Sequence, residues 1–323
     1  MEHWPHEDTI IAGAGPIGLA CAIDARRCGI DPLVIDAGAV ADSIVRYPIG
    51  MGFFTTPELL EIGGHPFVAG GQRPTREEAL KYYRGVVRAE KLRVRTYSRL
   101  VDARREADAI HCVLETRTGR VAVTCNRLVL ATGYYVYPNM MNVPGEELPH
   151  VAHYFDEPHR SFGLDVVVVG GRNSAVEAAL ELFRAGARVT LVYRRPEFPP
   201  SVKYWVKPDI ENRIAAGEIR GRLGYSVERI TPTSVVIRNA QGEEEEIPAD
   251  RVYALTGFHA DFDLFERIGI RLDPETKRAD VNPETLETNV PGVYMVGSIP
   301  LGLSTAAVFI ENGRFDGQRV FRC

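Results

Sequence analysis

No CxxC pair occurs anywhere in these 323 residues, and the five cysteines (Cys21, Cys28, Cys112, Cys125 and Cys323) show no metal-site spacing. The commonest redox dithiol is thereby excluded. The cysteines are expected as small buried hydrophobes or inert thiols of a reduced, cytoplasmic protein. Long apolar runs are missing too: the longest purely aliphatic one, Val166 to Val169, is far short of a membrane span. The opening MEHWPHED has neither the basic nor the apolar region of a signal peptide. Positive charge is not in excess. With 38 Lys and Arg against 43 Asp and Glu, a net charge of −5, nothing draws the chain to nucleic acid or to an anionic membrane. What remains is a globular composition, 45% hydrophobic and 25% charged, long enough for two domains.

The stretch Asp8 to Asp36, DTIIAGAGPIGLACAIDARRCGIDPLVID, carries the strongest signal. A short apolar run, Thr9 to Ala12, ends in GAGPIG. Leu19 to Cys28 then reads as a helix closed by Gly29, and Pro32 to Ile35 as a second strand ending in Asp36. Strand, glycine turn, helix, strand and acid in that order make a dinucleotide-binding βαβ unit. Gly13 permits the sharp turn, Gly15 lets the backbone approach a pyrophosphate, and Gly18 lets helix and strand pack closely. Free N–H groups and the helix dipole face that pyrophosphate. Asp36 is placed to accept hydrogen bonds from a ribose.

An irregular region follows, 37 to 74, long enough to be expected as functional. Thr75 to Lys91 reads as a helix capped by Thr75, Leu92 to Tyr97 as a strand, and Arg99 to Val123 as a small meander. Arg127 to Tyr135 (RLVLATGYY) is expected as a separate buried strand. The middle of the chain then repeats the opening. DVVVVGG (165–171) is a strand entering glycines, Ser174 to Ala185 a helix stopped by Gly186, and RVTLVY (188–193) the next strand. Two strands around 240–242 lead to a second threonine–glycine strand end, VYALTGF (252–258). The tail offers a buried strand in NVPGVYMVGS (289–298) and a helix over 305–314. The expected fold is α/β, with two Rossmann-like domains and the second inserted in the first: 1–137, 138–255 and 256–323.

Two dinucleotide folds, one inside the other, each leaving through a threonine–glycine strand end, resemble the two-domain flavoprotein disulfide reductases, of which thioredoxin reductase is the small-chain example. A narrower resemblance, to the bacillithiol disulfide reductase family, is carried by SVKYWVKPDIENRI (201–214), GGRNSAVEAAL (170–180), FIENGRFDG (309–317) and GIDPLVID (29–36). The resemblance implies FAD in the first cradle, NADPH in the second, and a homodimer. It implies Gly13, Ala14, Gly15, Pro16, Ile17 and Gly18 at the FAD pyrophosphate, Asp36 at its ribose and Val101 near adenine. Thr132 and Gly133 would pass close to the cofactor, and Gly297, Ala307 and Val308 would meet its ribityl chain and ring. At 298, where the superfamily commonly has Asp, this chain has Ser. The second cradle would use Gly170, Gly171, Arg172, Asn173 and Ser174; Arg172 replaces a glycine, and its side chain either crowds the pyrophosphate, places its guanidinium on a phosphate, or is an ordinary surface arginine.

Arg194 and Arg195 close the second strand of the repeated unit, where an NAD site carries an acid. Two guanidinium groups there favour the 2′-phosphate of NADPH. The protein thereby reads as an NADPH-dependent flavoprotein oxidoreductase whose acceptor is a small-molecule disulfide or a redox partner protein. No catalytic acid or base is implied, because the cofactors carry the chemistry. The bacillithiol family is associated with a Cys directly after its first GxGP, and this chain has Ile17. Cys21, four residues into the helix, is expected to point inward. His153, His159 and His259 have no motif behind them, and Tyr204 and Trp205 suit either nicotinamide stacking or packing. Two other functions remain open: a ferredoxin- or flavodoxin-NADP reductase, and a non-catalytic redox sensor.

Overall fold

The computed structural model describes residues 2–304 and 307–323. The chain divides into two compact units, Met1–Tyr137 with Phe258–Cys323, and Pro138–Gly257. No helix among the described residues is long and apolar enough to cross a membrane.

The first unit opens with β1 (Glu7–Ala12), α1 (Pro16–Arg27) and β2 (Leu33–Ile35). Gly29, in a left-handed conformation just past α1, turns the chain towards β2. The region 37–74 contains two single-turn helices, Asp42–Val45 and Pro57–Leu60. α2 (Arg76–Ala89) starts on a capping box: the Thr75 hydroxyl accepts from the Glu78 N–H while Glu78 accepts from the Thr75 N–H. After β3 (Arg93–Arg95) come β4 (Ser98–Glu106), β5 (Ala109–Thr116) and β6 (Gly119–Leu130). The sheet runs β3-β2-β1-β6-β5-β4.

The expected split between a meander and a strand at 127–135 is corrected here. β6 is one strand, and it ends at Leu130. Its first half alternates buried and half-exposed residues and pairs antiparallel with β5. Its second half is buried on both faces and pairs parallel with β1. A strand that changes partner halfway also changes its hydrophobic period, which hides its continuity in the sequence.

The second unit holds β7 (Asp165–Val169), α3 (Asn173–Arg184), β8 (Arg188–Tyr193), α4 (Lys207–Ala215) and β9 (Arg220–Leu223). A meander follows, β10 (Tyr225–Ile230), β11 (Ser234–Asn239) and β12 (Glu244–Pro248), and then β13 (Arg251–Ala254). The parallel sheet runs β9-β8-β7-β13, with Val151–Ala152 at its edge. Val166 and Val168 of β7 pack with α3, whereas Val167 and Val169 pack with the meander. Both faces are covered, so the strand is apolar from Val166 to Val169.

The chain then returns to the first unit with α5 (Phe262–Ile268), β14 (Val293–Met295) and α6 (Asp316–Val320). β14 pairs parallel with β6, through Val293 to Met295 beside Leu128 to Leu130. The helix expected over 305–314 is only a turn at Ile310–Gly313, and 305 and 306 lie outside the described residues. The cysteines are not all the inert or buried thiols expected. Cys28 and Cys323 form a disulfide, while Cys21, Cys112 and Cys125 are free and buried.

Candidate functional site

The first glycine turn lies between β1 and α1. Gly13 has φ +120°, and a Cβ there would sit 2.2 Å from the Ala131 carbonyl oxygen. At Gly18 a Cβ would meet the Gly13 oxygen at 1.9 Å. Both glycines are demanded by backbone packing. Gly15 differs: nothing lies within 4 Å of where its Cβ would be. It borders a cavity of about 300 Å³ whose wall includes Gly13, Ile17, Asp36, Thr132 and Gly133. α1 begins at Pro16, without a side-chain cap, which leaves its first N–H groups to a ligand.

Asp36 ties the turn together. Its carboxylate accepts from the Ala14 N–H at 2.7 Å and from the Gly38 N–H at 2.8 Å. Burial pushes the carboxyl above the ordinary range, and the two N–H groups pull the other way. Across the cavity, the Thr132 hydroxyl oxygen is buried and has no hydrogen-bond partner. An orphaned hydroxyl, open space at Gly15 and uncapped N–H groups on one wall fit a bound dinucleotide.

Several wall residues carried no signal in the sequence. Arg99, Tyr137 and Asp261 meet at one end: Arg99 donates to the Tyr137 hydroxyl and pairs with Asp261 at 3.5 Å, and that hydroxyl donates to Asp261 at 3.3 Å. Asp261 also caps α5 by accepting from the Leu264 N–H. Tyr135, on the same wall, packs against Phe258 with ring centroids 4.0 Å apart. Val101 is not on this wall. It is the extra residue of a bulge in β4, between Leu100 and Asp102, and its carbonyl accepts from Arg267. Its neighbours Ser98, Arg99 and Leu100 form the wall instead.

The C-terminal segment meets the turn through Ile17. A Cβ on Gly297 would lie 2.9 Å from Ile17 Cδ1, and one on Gly313 only 2.6 Å away. The Gly297 N–H donates to Asp316 at 2.7 Å, so an acid from α6 serves the backbone beside Ser298. Ala307 and Val308 are off the cavity wall, which Ile310 joins. Asn312 holds their segment by donating to the Ala307 carbonyl and accepting from the Phe309 N–H.

The free cysteines are poor nucleophiles. The Cys21 thiol is fully buried, and burial, then Asp316 and Asp24, push it well above its ordinary range. Cys112 is pushed up by a hydrogen bond with Cys125 and by burial. None is an exposed thiolate.

In the second unit Gly170 has φ +140°, and a Cβ there would meet the Leu255 oxygen at 2.5 Å. The ring of Tyr193 lies over Gly171. Arg172 occupies the N-cap position of α3 and is exposed, as are Ser174, Arg194 and Arg195. Asn173 donates to the Ser201 carbonyl and accepts from the Lys203 N–H, which binds the segment 201–203 to the start of α3. Arg184, Arg188, Arg213, Arg222 and Arg238 of this unit sit in ion pairs. Arg172, Arg194 and Arg195 show none among the described residues. Unpaired guanidinium groups beside a helix start suit phosphate.

Of the remaining aromatic and imidazole candidates, His259 has its ring 5.8 Å from that of Tyr137 on the cavity wall, and Trp205 lies beneath Lys203 of the segment that Asn173 holds. Tyr204 is 83% exposed and meets Trp205 edge-on. His153 lies 3.7 Å from Glu146, His259 contacts the Ala260 carbonyl, and His159 sits in a short turn.

A family model described as pyridine nucleotide-disulphide oxidoreductase matches residues 10–297. The bacilliredoxin reductase Bdr of Bacillus subtilis (strain 168) is 45% identical over 314 residues, 97% of this chain and 96% of its own. The solved structure of bacillithiol disulfide reductase Bdr from Bacillus cereus matches with a TM-score of 0.96 at 41% identity, covering 99% of this chain and 98% of that one. A ferredoxin–NADP reductase of Ignicoccus hospitalis is 29% identical over 98% of this chain and 97% of its own.

Proposed function

The chain belongs to the pyridine nucleotide-disulphide oxidoreductase family and is an oxidoreductase with FAD and NADPH as cofactors, and from that premise we propose that it delivers NADPH electrons to its acceptor without a protein thiol at the flavin. We assign FAD to the unit containing β1 and α1, and NADPH to the unit containing β7 and α3. The observation that carries the reading is Ile17: an aliphatic side chain, wedged against Gly297 and Gly313, holds the position where the bacillithiol family is associated with Cys. FAD bound in this cradle would supply the hydride-accepting and electron-transferring chemistry. The residues of this chain bind, orient and exclude water. The Thr132 hydroxyl and the first N–H groups of α1 hold the dinucleotide, and Ile17 with Ile310 gives one side of the cavity an apolar lining. Likeness to relatives named for bacilliredoxin and bacillithiol disulfide points to a disulfide acceptor, whereas the missing thiol at position 17 points to an acceptor such as a quinone that takes electrons from the flavin directly. A second reading, electron transfer to a ferredoxin, is favoured by the full-length likeness to a ferredoxin–NADP reductase. Steady-state NADPH oxidation against low-molecular-weight disulfides, ferredoxin and quinones separates these outcomes, and the absence of turnover with any of them defeats the proposal. Gel filtration tests the homodimer expected alongside it.

Asp36→Asn is expected to weaken FAD binding about tenfold, roughly 1.4 kcal/mol. An amide must turn its NH₂ towards the N–H of Ala14 or Gly38, and it removes a carboxylate oxygen from the cavity wall. pH acts through the same group with two opposite signs. The folded carboxyl titrates above its unfolded value, so its contribution to folding stability is greatest below the unfolded value and declines as pH rises through the folded one. FAD, which uses the ionised form, is lost in the other direction, as pH falls through the raised value. A titration of flavin release in wild type and Asp36→Asn checks both; an identical acid release profile in the variant would exclude Asp36 as the cause.

Arg194→Ala and Arg195→Ala, made separately, are each expected to weaken apparent NADPH affinity about ten- to a hundredfold, with little change for NADH. A charge-assisted hydrogen bond to phosphate contributes about 1.5–3 kcal/mol. Equal losses with both nucleotides would mean that the arginines support structure only.

A further inference from the structure

We propose that Cys28 and Cys323 are a second redox centre, a dithiol–disulfide pair that exchanges with low-molecular-weight disulfides and, when closed, locks the C-terminal segment along α1 and retains FAD. The motive is the path of that segment. Gly313 lies against Ile17 at the start of α1, Gly317 against Cys21 one turn later, and Cys323 is bonded to Cys28 just past the end. The segment therefore follows the whole 12-residue helix, about 18 Å, and the disulfide clamps its far end. Its near end meets the cavity through Ile310, and Asp316 receives the Gly297 N–H.

Without the bond, that grip rests on α6, a five-residue helix that buries Asp316, Gly317 and Val320, on the buried Phe321 beneath Arg127, and on Arg314 to the Glu58 and Glu61 carbonyls, Arg319 to the Pro283 carbonyl and Arg322 to Glu284. The last of these contacts, at Arg319 and Arg322, are solvent-exposed, and a chain end held by exposed contacts opens locally. The pair is built to close, since its Cα atoms are 5.6 Å apart, within the ordinary disulfide range. It is also accessible. Cys323 is exposed and Cys28 only half-buried, unlike the three free cysteines. Cys28 Sγ lies 2.8 Å from the Phe321 carbonyl oxygen, within reach of a hydrogen bond from the reduced thiol.

The exchange balances. The Cys323 thiolate attacks one sulfur of a small disulfide RSSR, forming a mixed disulfide and releasing RS⁻, which takes up the proton Cys323 gave up. Cys28 then attacks Cys323 Sγ, its proton passing to the second RS⁻ as it leaves. Two protein thiols are oxidised, RSSR is reduced to two RSH, and excess RSH reverses the sequence.

The test uses the full FAD-loaded chain, reduced with dithiothreitol and then treated with oxidised glutathione as the probe. Thiols alkylated in denaturant are counted by intact mass, and FAD release below the melting temperature is followed by flavin fluorescence. Five alkylated thiols are expected after reduction and three after oxidation. FAD release is expected to be at least threefold faster in the reduced protein. Cys28→Ser and Cys323→Ser should release FAD at the reduced rate whatever the treatment. Equal release rates in the two states of the wild type overturn the proposal, even if a variant fails to fold. So does a pair that dithiothreitol cannot open in the native protein, or that oxidised glutathione cannot close. These readouts are independent of the acceptor, so failure of the acceptor assignment above leaves them intact.

Discussion

A chain with leucine at position 15 is expected to fold normally and to purify colourless. Gly15 has φ −74°, which any residue adopts, and its missing Cβ faces open space. The substitution thus costs the empty protein only a poorer helix N-cap, about 1 kcal/mol. The loss falls on the ligand. A leucine side chain would fill the space against which a pyrophosphate lies, and overpacking of a close contact costs about 1–3 kcal/mol or more. Combined with loss of close backbone approach, the expected effect is at least a hundredfold weaker FAD binding, about 3 kcal/mol. Gly18→Ala provides the contrast. Its methyl would lie 1.9 Å from the Gly13 carbonyl oxygen, so the fold itself is damaged and the melting temperature falls. Flavin absorbance after reconstitution, together with a thermal melt, distinguishes the two. A yellow Gly15→Leu protein would remove the cavity beside α1 from consideration as the FAD site.

What the sequence could convey follows from how local each signal is. α1, α3 and β8 are legible because glycine turns and periodic apolar residues fall within a dozen positions. β6 is not, because two sheet environments share one strand. The Arg99, Tyr137 and Asp261 cluster draws on three distant parts of the chain, and nothing in any of them marks the others. Val101 falls one residue outside the cavity wall because a bulge shifts the side-chain alternation of β4 at that point. The Cys28–Cys323 bond joins residues 295 apart, with no spacing rule to suggest it. Ser298 hides a substitution of source, since the acid that accepts from Gly297 comes from α6.

Wild-type protein is expected to turn over quinones or one-electron protein acceptors well and bacillithiol disulfide weakly, at least tenfold below the quinone rate. Disulfide exchange needs an attacking thiolate. Ile17 supplies none at the flavin turn, the Cys28–Cys323 pair lies past the other end of the 12-residue α1, and Cys21, one turn along α1, is no substitute: burial, then Asp316 and Asp24, keep its thiol protonated. Cys21→Ala should therefore retain most NADPH oxidation with a quinone. Ile17→Cys is the converse experiment. It removes methyl groups that pack against Gly297 and Gly313, at a cost of about 1–3 kcal/mol. In exchange it places a thiol at the N-terminus of α1, where free N–H groups and the helix dipole lower a thiol pKa. Bacillithiol disulfide reduction is then expected to rise at least tenfold relative to quinone reduction. The wild-type expectation sets this chain apart from the relatives named as reductases of bacilliredoxin and of bacillithiol disulfide, with which it shares 45% and 41% identity. If the wild type reduces bacillithiol disulfide as fast as a quinone, and Cys21→Ala or Cys28→Ser abolishes that activity, then a thiol of this chain does take part and the thiol-free account of the second half-reaction is wrong.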